Sequence, residues 1–175
     1  ADLGCVPHAL GCSVVYCPPD VSTDGHARVG RNYDFFTGSV AEMFSIPTEL
    51  PQPAMTSRPY IVSTTPDTGH AVTCVAAYEL SGCLEGMNDA GLVIATLADD
   101  ETGAARGTGV AKVGVDELQL PLLVLEQCRT AAQAHSLLNH VEHYTRMMPC
   151  HYLVADAAGH SFVFEIDELG LRHVV

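Results

Sequence analysis

The chain has 175 residues, 47% of them hydrophobic and 17% charged, with 21 acidic side chains against 8 basic ones and a formal net charge of -13. This composition excludes a disordered segment and supplies enough apolar surface for one domain, or for part of a larger one. The acidic balance repels phosphate backbones and anionic membrane faces, and no run of about 18 apolar residues offers a span, so nucleic acid and membranes are excluded as partners.

Along the chain, residues 1–11 have little periodicity and read as a propeptide-like segment ahead of a domain spanning 12–175. Ser13 to Cys17 is short, β-branched and aromatic, which predicts a strand. Turn chemistry follows at Pro18, Pro19, Asp20 and Asp24-Gly25, and His26 to Arg31 predicts the returning antiparallel strand. Residues 47–59 contain four prolines and read as an irregular surface connection. Further strands are expected at Tyr60–Thr64, Ala71–Tyr78 and Leu92–Leu97. The acidic, then glycine-rich stretch 99–114 reads as a loop, either a cover for a site or simply exposed.

Two helices come next. The first is expected near Pro121, because a proline costs no hydrogen bond in a first helical turn. The second starts at a T-x-x-Q capping box, Thr130 to Gln133, and carries the stripe Ala134, Leu137, Leu138 and Val141. His151–Asp156 and His160–Asp167 then predict a hairpin across Ala157-Ala158-Gly159, and Leu171–Val175 a last strand. The order of elements suits a layered α+β fold with helices on antiparallel sheets. A dinucleotide fingerprint, a phosphate loop, H-E-x-x-H, C-x-x-C and G-x-S-x-G are all absent from the sequence. His140 and His143, three apart, read as surface histidines, and no cofactor or metal is expected.

Seven cysteines (5, 12, 17, 74, 83, 128 and 150) form an odd, irregularly spaced set in a chain large enough to need no staples. Free thiols in a reducing compartment, the cytoplasm, are therefore expected. Taken alone, Cys12 is a buried cysteine at a strand start. Cys5, also preceded by glycine, is an alternative reactive position, and Cys17 reads as packing.

Three segments change the weight on Cys12: Gly11-Cys12-Ser13-Val14-Val15-Tyr16-Cys17, Gly30-Arg31-Asn32-Tyr33-Asp34-Phe35-Phe36, and Gly86-Met87-Asn88-Asp89-Ala90-Gly91-Leu92. With Cys128-Arg129-Thr130 and Tyr152-Leu153-Val154-Ala155-Asp156, in this order and spacing, the chain resembles the acyl-coenzyme A:6-aminopenicillanic acid acyltransferase family of N-terminal-nucleophile hydrolases and the related conjugated-bile-acid hydrolases.

The resemblance implies an αββα sandwich, of which this chain holds only the N-terminal part, so that a C-terminal segment or a second chain completes the sheet. It implies self-cleavage between Gly11 and Cys12, after which Cys12 is both nucleophile and, through its new α-amine, base. A thiol of pKa about 8.5 and an amine of about 7.7–8.0 suit those roles. The resemblance further makes Arg31 the cation beside the sulfur, Asp34 the acid that orients the α-amine, and Asn88 the oxyanion donor. The spacing of Arg31 and Asp34 calls for a turn between them, and an Asn88 holding a tight connection is the plainer reading of that residue. The expected substrate is a small acylated amine or amide, with acyl-CoA as a possible donor. The alternative is an inactive relative that binds a ligand or self-associates.

Overall fold

The computed structural model describes residues 12–34, 38–43, 45–54, 59–77, 82–99, 113–146, 148–166 and 171–175. Two antiparallel strands, β1 (Cys12–Cys17) and β2 (Arg28–Tyr33), pair in register from Cys12↔Tyr33 to Cys17↔Arg28. A short helix, α1 (Val40–Met43), follows; Ser39 and Glu42 cap it reciprocally, Ser39 N–H to Glu42 Oε2 at 2.6 Å and Glu42 N–H to Ser39 Oγ at 3.1 Å.

Seven further strands form one antiparallel sheet in chain order: β3 (Tyr60–Thr64), β4 (Val72–Ala77), β5 (Gly82–Asn88), β6 (Val93–Ala98), β7 (Cys150–Ala155), β8 (Ser161–Ile166) and β9 (Arg172–Val174). Helices α2 (Leu120–Gln127) and α3 (Ala131–His140) interrupt the meander between β6 and β7. Strand β5 has no sequence expectation behind it. Its composition, G-C-L-E-G-M-N, lacks β-branched residues, and burial rather than propensity makes it a strand.

Alternation along the strands sorts the sheet's two faces. Val72, Cys74, Leu92, Ile94, Tyr152, Val154 and Phe164 pack with Leu120, Val124, Leu125 and Leu138 of the helices in one core. Thr73, Val75, Glu85, Met87, Val93 and Ala95 face the other way and line the space beneath the β1–β2 hairpin. The result is three layers: helices, a seven-stranded sheet and a two-stranded one. This is the α+β class expected, in a partial αββα arrangement.

Local chemistry explains the helix starts. Asp116 is buried, and its Oδ1 accepts from Leu118 N–H and Gln119 N–H, both at 3.0 Å, capping the turn that leads into α2. Thr130 caps α3 as expected, accepting from Gln133 N–H at 3.2 Å. Gln133 reaches one residue further back than a capping box, accepting from Arg129 N–H at 2.7 Å.

Three expectations need correction. Strand β2 runs unbroken through Tyr33, so no turn separates Arg31 from Asp34; alternation puts Arg31 inward and Asp34 outward. Cys17 is exposed rather than packed. His143 is half-buried against Tyr152, with Nε2 3.2 Å from Tyr152 Oη, whereas His140 is exposed. Gly11 and Cys5 lie outside the described residues.

Candidate active site

Pairing between β5 and β6 covers only Glu85↔Ala95, Gly86↔Ile94 and Met87↔Val93. Beyond Ala95 the two strands separate. The segment leading into α2 fills part of the split, and Leu118 O takes the N–H of Cys83 at 3.0 Å. Arg31 enters from the hairpin side, and its Nη2 donates to Thr96 O at 2.5 Å. That carbonyl lies one residue past the last β5–β6 pair, where a side chain must replace the missing strand partner.

The same Nη2 lies 3.4 Å from Cys12 Sγ. Arg31 Nε is ion-paired with the Glu85 carboxylate, and the guanidinium lies over the Tyr33 ring with its carbon 4.8 Å from the centroid. The Arg31 side chain is only 7% exposed, so its charge is fixed beside the sulfur in a poorly solvated place. Burial pushes the Glu85 carboxyl up, against the pull of Arg31. The Cys12 thiol also donates to Asp34 O, at 3.7 Å. The Asp34 carboxylate accepts from Asn32 Nδ2 at 2.7 Å.

Cys12, Arg31, Tyr33, Leu84, Thr96, Ala98, Glu117, Leu118, Met148 and Cys150 enclose a cavity of about 30 Å³. That is room for about one water molecule. Two buried donors at this split have no hydrogen-bond acceptor, Arg31 Nη1 and the hydroxyl of Thr96. Buried Glu117 accepts from Arg146 N–H at 2.8 Å and Met148 N–H at 3.1 Å, fixing the wall opposite. A second cavity of about 480 Å³, under the hairpin, shares Arg31 with the first but does not include Cys12.

Cys12 and Arg31 thus come together, and Asp34 meets Cys12 through its main-chain oxygen. Asn88 does not join them. It shares the helix-facing parity of Gly86, where an added Cβ would lie 2.9 Å from Leu125 Cδ1. Its amide donates to Leu125 O at 2.8 Å and Cys128 O at 2.6 Å, and its carbonyl accepts from Ala90 N–H at 3.1 Å and Leu92 N–H at 2.9 Å. Those four bonds use the whole capacity of an asparagine side chain. The expected oxyanion role is therefore corrected: in this geometry Asn88 ties the β5–β6 turn to the α2–α3 junction.

Asp156, from another motif, works similarly. Its Oδ2 accepts from Ala131 N–H at 3.0 Å, and its Oδ1 from Ala158 and His160 N–H. Gly91, at φ 81°, completes the turn, and a Cβ there would meet Ala157 Cβ at 2.9 Å.

The family of acyl-coenzyme A:6-aminopenicillanic acid acyl-transferase matches residues 21–172. The chain belongs to this acyltransferase family. The matched stretch contains Arg31, Asp34 and Asn88 and begins after Cys12. Comparison with curated proteins found no match.

Among solved structures, the family member is similar to penicillin V acylase from Agrobacterium tumefaciens, at 21% identity and a TM-score of 0.49, over 66% of this chain and 39% of that one. It is also similar to two variants of conjugated bile acid hydrolase from Clostridium perfringens, at 16% and 15% identity, each with a TM-score of 0.49, over 67% of this chain and 40% of theirs. The chain thus spans about 40% of the length of these structures.

Sequence reading missed Glu85, Thr96, Glu117 and Cys150 at the split. Only the lone acid Glu85, in a glycine-rich strand, offered a signal. No group of three His, Cys, Asp or Glu side chains among the described residues is placed to hold a metal. No helix among them is long and apolar enough to cross a membrane.

Proposed function

We propose that this chain carries the nucleophile of a cysteine amide hydrolase or acyltransferase that acts on small acylated amines. The observation that carries this reading is the buried Arg31 guanidinium 3.4 Å from Cys12 Sγ, in a family of acyl transferases. Cleavage of the Gly11–Cys12 bond frees the Cys12 α-amine, which takes the thiol proton. The sulfur attacks the substrate carbonyl, the amine leaves with that proton, and a thioester remains on Cys12. Water resolves it in a hydrolase, and a second amine in an acyltransferase. In this reading Asp34, whose main-chain oxygen accepts from the Cys12 thiol, orients the freed α-amine through its carboxylate.

The cavity beside Cys12 admits a carbonyl oxygen but no acyl chain. We assign the acyl group to the 480 Å³ cavity, a ligand-sized space whose lining shares Arg31 with the cavity beside Cys12. Met87 lines that space and is 52% exposed, so Met87→Trp should fold and raise KM more than it lowers kcat. The hairpin has only two strands among the described residues, a marginal sheet by itself. We propose that a following segment or a second chain extends it. All six described cysteines are free, which suits a reducing compartment such as the cytoplasm.

N-terminal sequencing of the purified full-length gene product should find a chain beginning at Cys12, and Cys12→Ala should remain uncut and inactive. Turnover of penicillin V, a conjugated bile acid or an N-acyl amino acid by the processed protein defines the substrate class. An uncut chain whose Cys12 resists thiol reagents would instead identify an inactive binding module.

A further inference from the structure

Which acyl group enters the 480 Å³ cavity depends on the ionised side chains in its lining, and these are paired with groups of the protein. Glu85 lies opposite Val75 on β4 and Ala95 on β6, and with Met87 these residues face the hairpin. Its side chain is 22% exposed, and its carboxylate is ion-paired with Arg31 Nε. Arg28 is paired with Asp24, and the Asp156 carboxylate accepts from the N–H groups of Ala131, Ala158 and His160. Ile61, Val75, Met87, Val93 and Ala95 make much of the remaining lining apolar. Burial pushes the Glu85 carboxyl up even beside a cation. A second carboxylate here would meet a like charge and compete for a guanidinium that is already neutralised. With Glu85 uncharged, the same guanidinium would be a buried cation without a counterion, a strong attractor for a carboxylate.

We propose that Glu85 sets the charge specificity of this site: by occupying Arg31 it makes the cavity accept uncharged acyl groups and reject those that end in a carboxylate. Glu85 acts through Arg31 and takes no part in bond breaking. The proposal rests on the acyl group lying in this cavity, as in the reading above.

Two p-nitrophenyl ketones of one shape, applied to the full chain, test it. In one the trimethylene chain ends in an isopropyl group; its isostere ends in a carboxylate. Both have C–C in place of the amide C–N bond, so neither is turned over, and equilibrium dialysis read by p-nitrophenyl absorbance gives each Kd. The parent should bind the isopropyl probe at least about tenfold more tightly. Glu85→Gln, which keeps an acceptor for Arg31 Nε, should shift that ratio toward the carboxylate probe by about tenfold or more, while Glu85→Asp keeps the parent's preference. Glu142→Gln removes an equal charge from an exposed position outside the lining and should move the ratio by less than about twofold. If Glu85→Gln is destabilised, the carboxylate probe should raise its unfolding midpoint and leave the parent's unchanged. Equal binding of the two probes by the parent, a ratio unmoved in Glu85→Gln, an equal shift in Glu142→Gln, or binding of neither probe overturns the proposal. Amide turnover by the processed parent, assayed separately, decides the Cys12 reading itself.

Discussion

Two regions of the same strand pair, β5 and β6, treat buried polar groups in opposite ways. At the turn end, Asn88 makes four hydrogen bonds and Asp156, nearby, caps both α3 and the β7–β8 turn. At the split end, Arg31 Nη1 and the Thr96 hydroxyl are buried with none. Both regions hold motif residues. What separates them is satisfaction: a saturated group holds the fold, and an unpaired buried donor leaves it weaker there.

Breaking the split end should have the largest effect on chemistry. Arg31→Leu removes the cation beside Cys12 and should lower kcat/KM at least about 100-fold. It also strands the half-buried Glu85 carboxylate, for which a stability loss of about 3 kcal/mol is expected in urea unfolding. The double variant Arg31→Leu/Glu85→Leu should recover most of that stability and none of the activity. Recovery of both would mean that Arg31 serves only to neutralise Glu85.

Breaking the turn end should do the reverse. Asn88→Ala leaves two carbonyls and two N–H groups without their partner, a loss of about 3 kcal/mol or more. Per folded molecule, kcat should stay within about threefold of the parent, since no lost contact reaches Cys12. An unchanged unfolding midpoint with kcat about 100-fold lower would return Asn88 to an oxyanion role.

The helix-side core should also set the acid limit of stability. Burial holds His143, against Tyr152, at a pKa of about 4, below the ordinary histidine value of 6.5. Between those values the unfolded chain binds the proton that the folded chain refuses. The stability is therefore complete above pH 6.5 and is lost as pH falls toward 4, by about 3 kcal/mol at most. Urea midpoints at pH 7 and pH 5 measure it, and His143→Gln should flatten the slope.

Much of the fold was readable because its signals are local. The β-branched runs, the Thr130 cap and the turn at Ala157–Gly159 each specify their element without distant partners. Strand β5 was not readable, since its place depends on β4 and α2 closing over glycines. For the site, the resemblance carried by three motifs brought Cys12 and Arg31 forward, and the two-residue alternation of a strand makes them neighbours across the hairpin. Asn88 shows the opposite case: motif position marked it, but parity with Gly86 turns it toward the helices. Thr96 carries no mark in sequence, because a hydroxyl becomes notable only when the fold buries it unpaired.

The smallest effect should come from the other arginine on β2. Arg28 forms a two-point ion pair with Asp24 and also bonds Ser22 Oγ at 2.5 Å, a richer set of contacts than Arg31 makes with Glu85. By contact count it would be the more important pair. Yet the two side chains are 55% and 46% exposed, against 7% and 22% for Arg31 and Glu85. Arg28 holds the Asp24 carboxyl below its ordinary range, but water and salt screen an exposed pair, and the unfolded chain solvates both groups well. Arg28→Ala should therefore leave the thermal midpoint unchanged within error at moderate salt, and kcat unaltered. Comparing Arg28→Ala with Arg31→Leu in one thermal scan isolates burial as the variable, since both residues sit on the same strand three positions apart. A clear drop for Arg28→Ala that persists in high salt would show that the β1–β2 connection is packed more tightly than its exposure indicates.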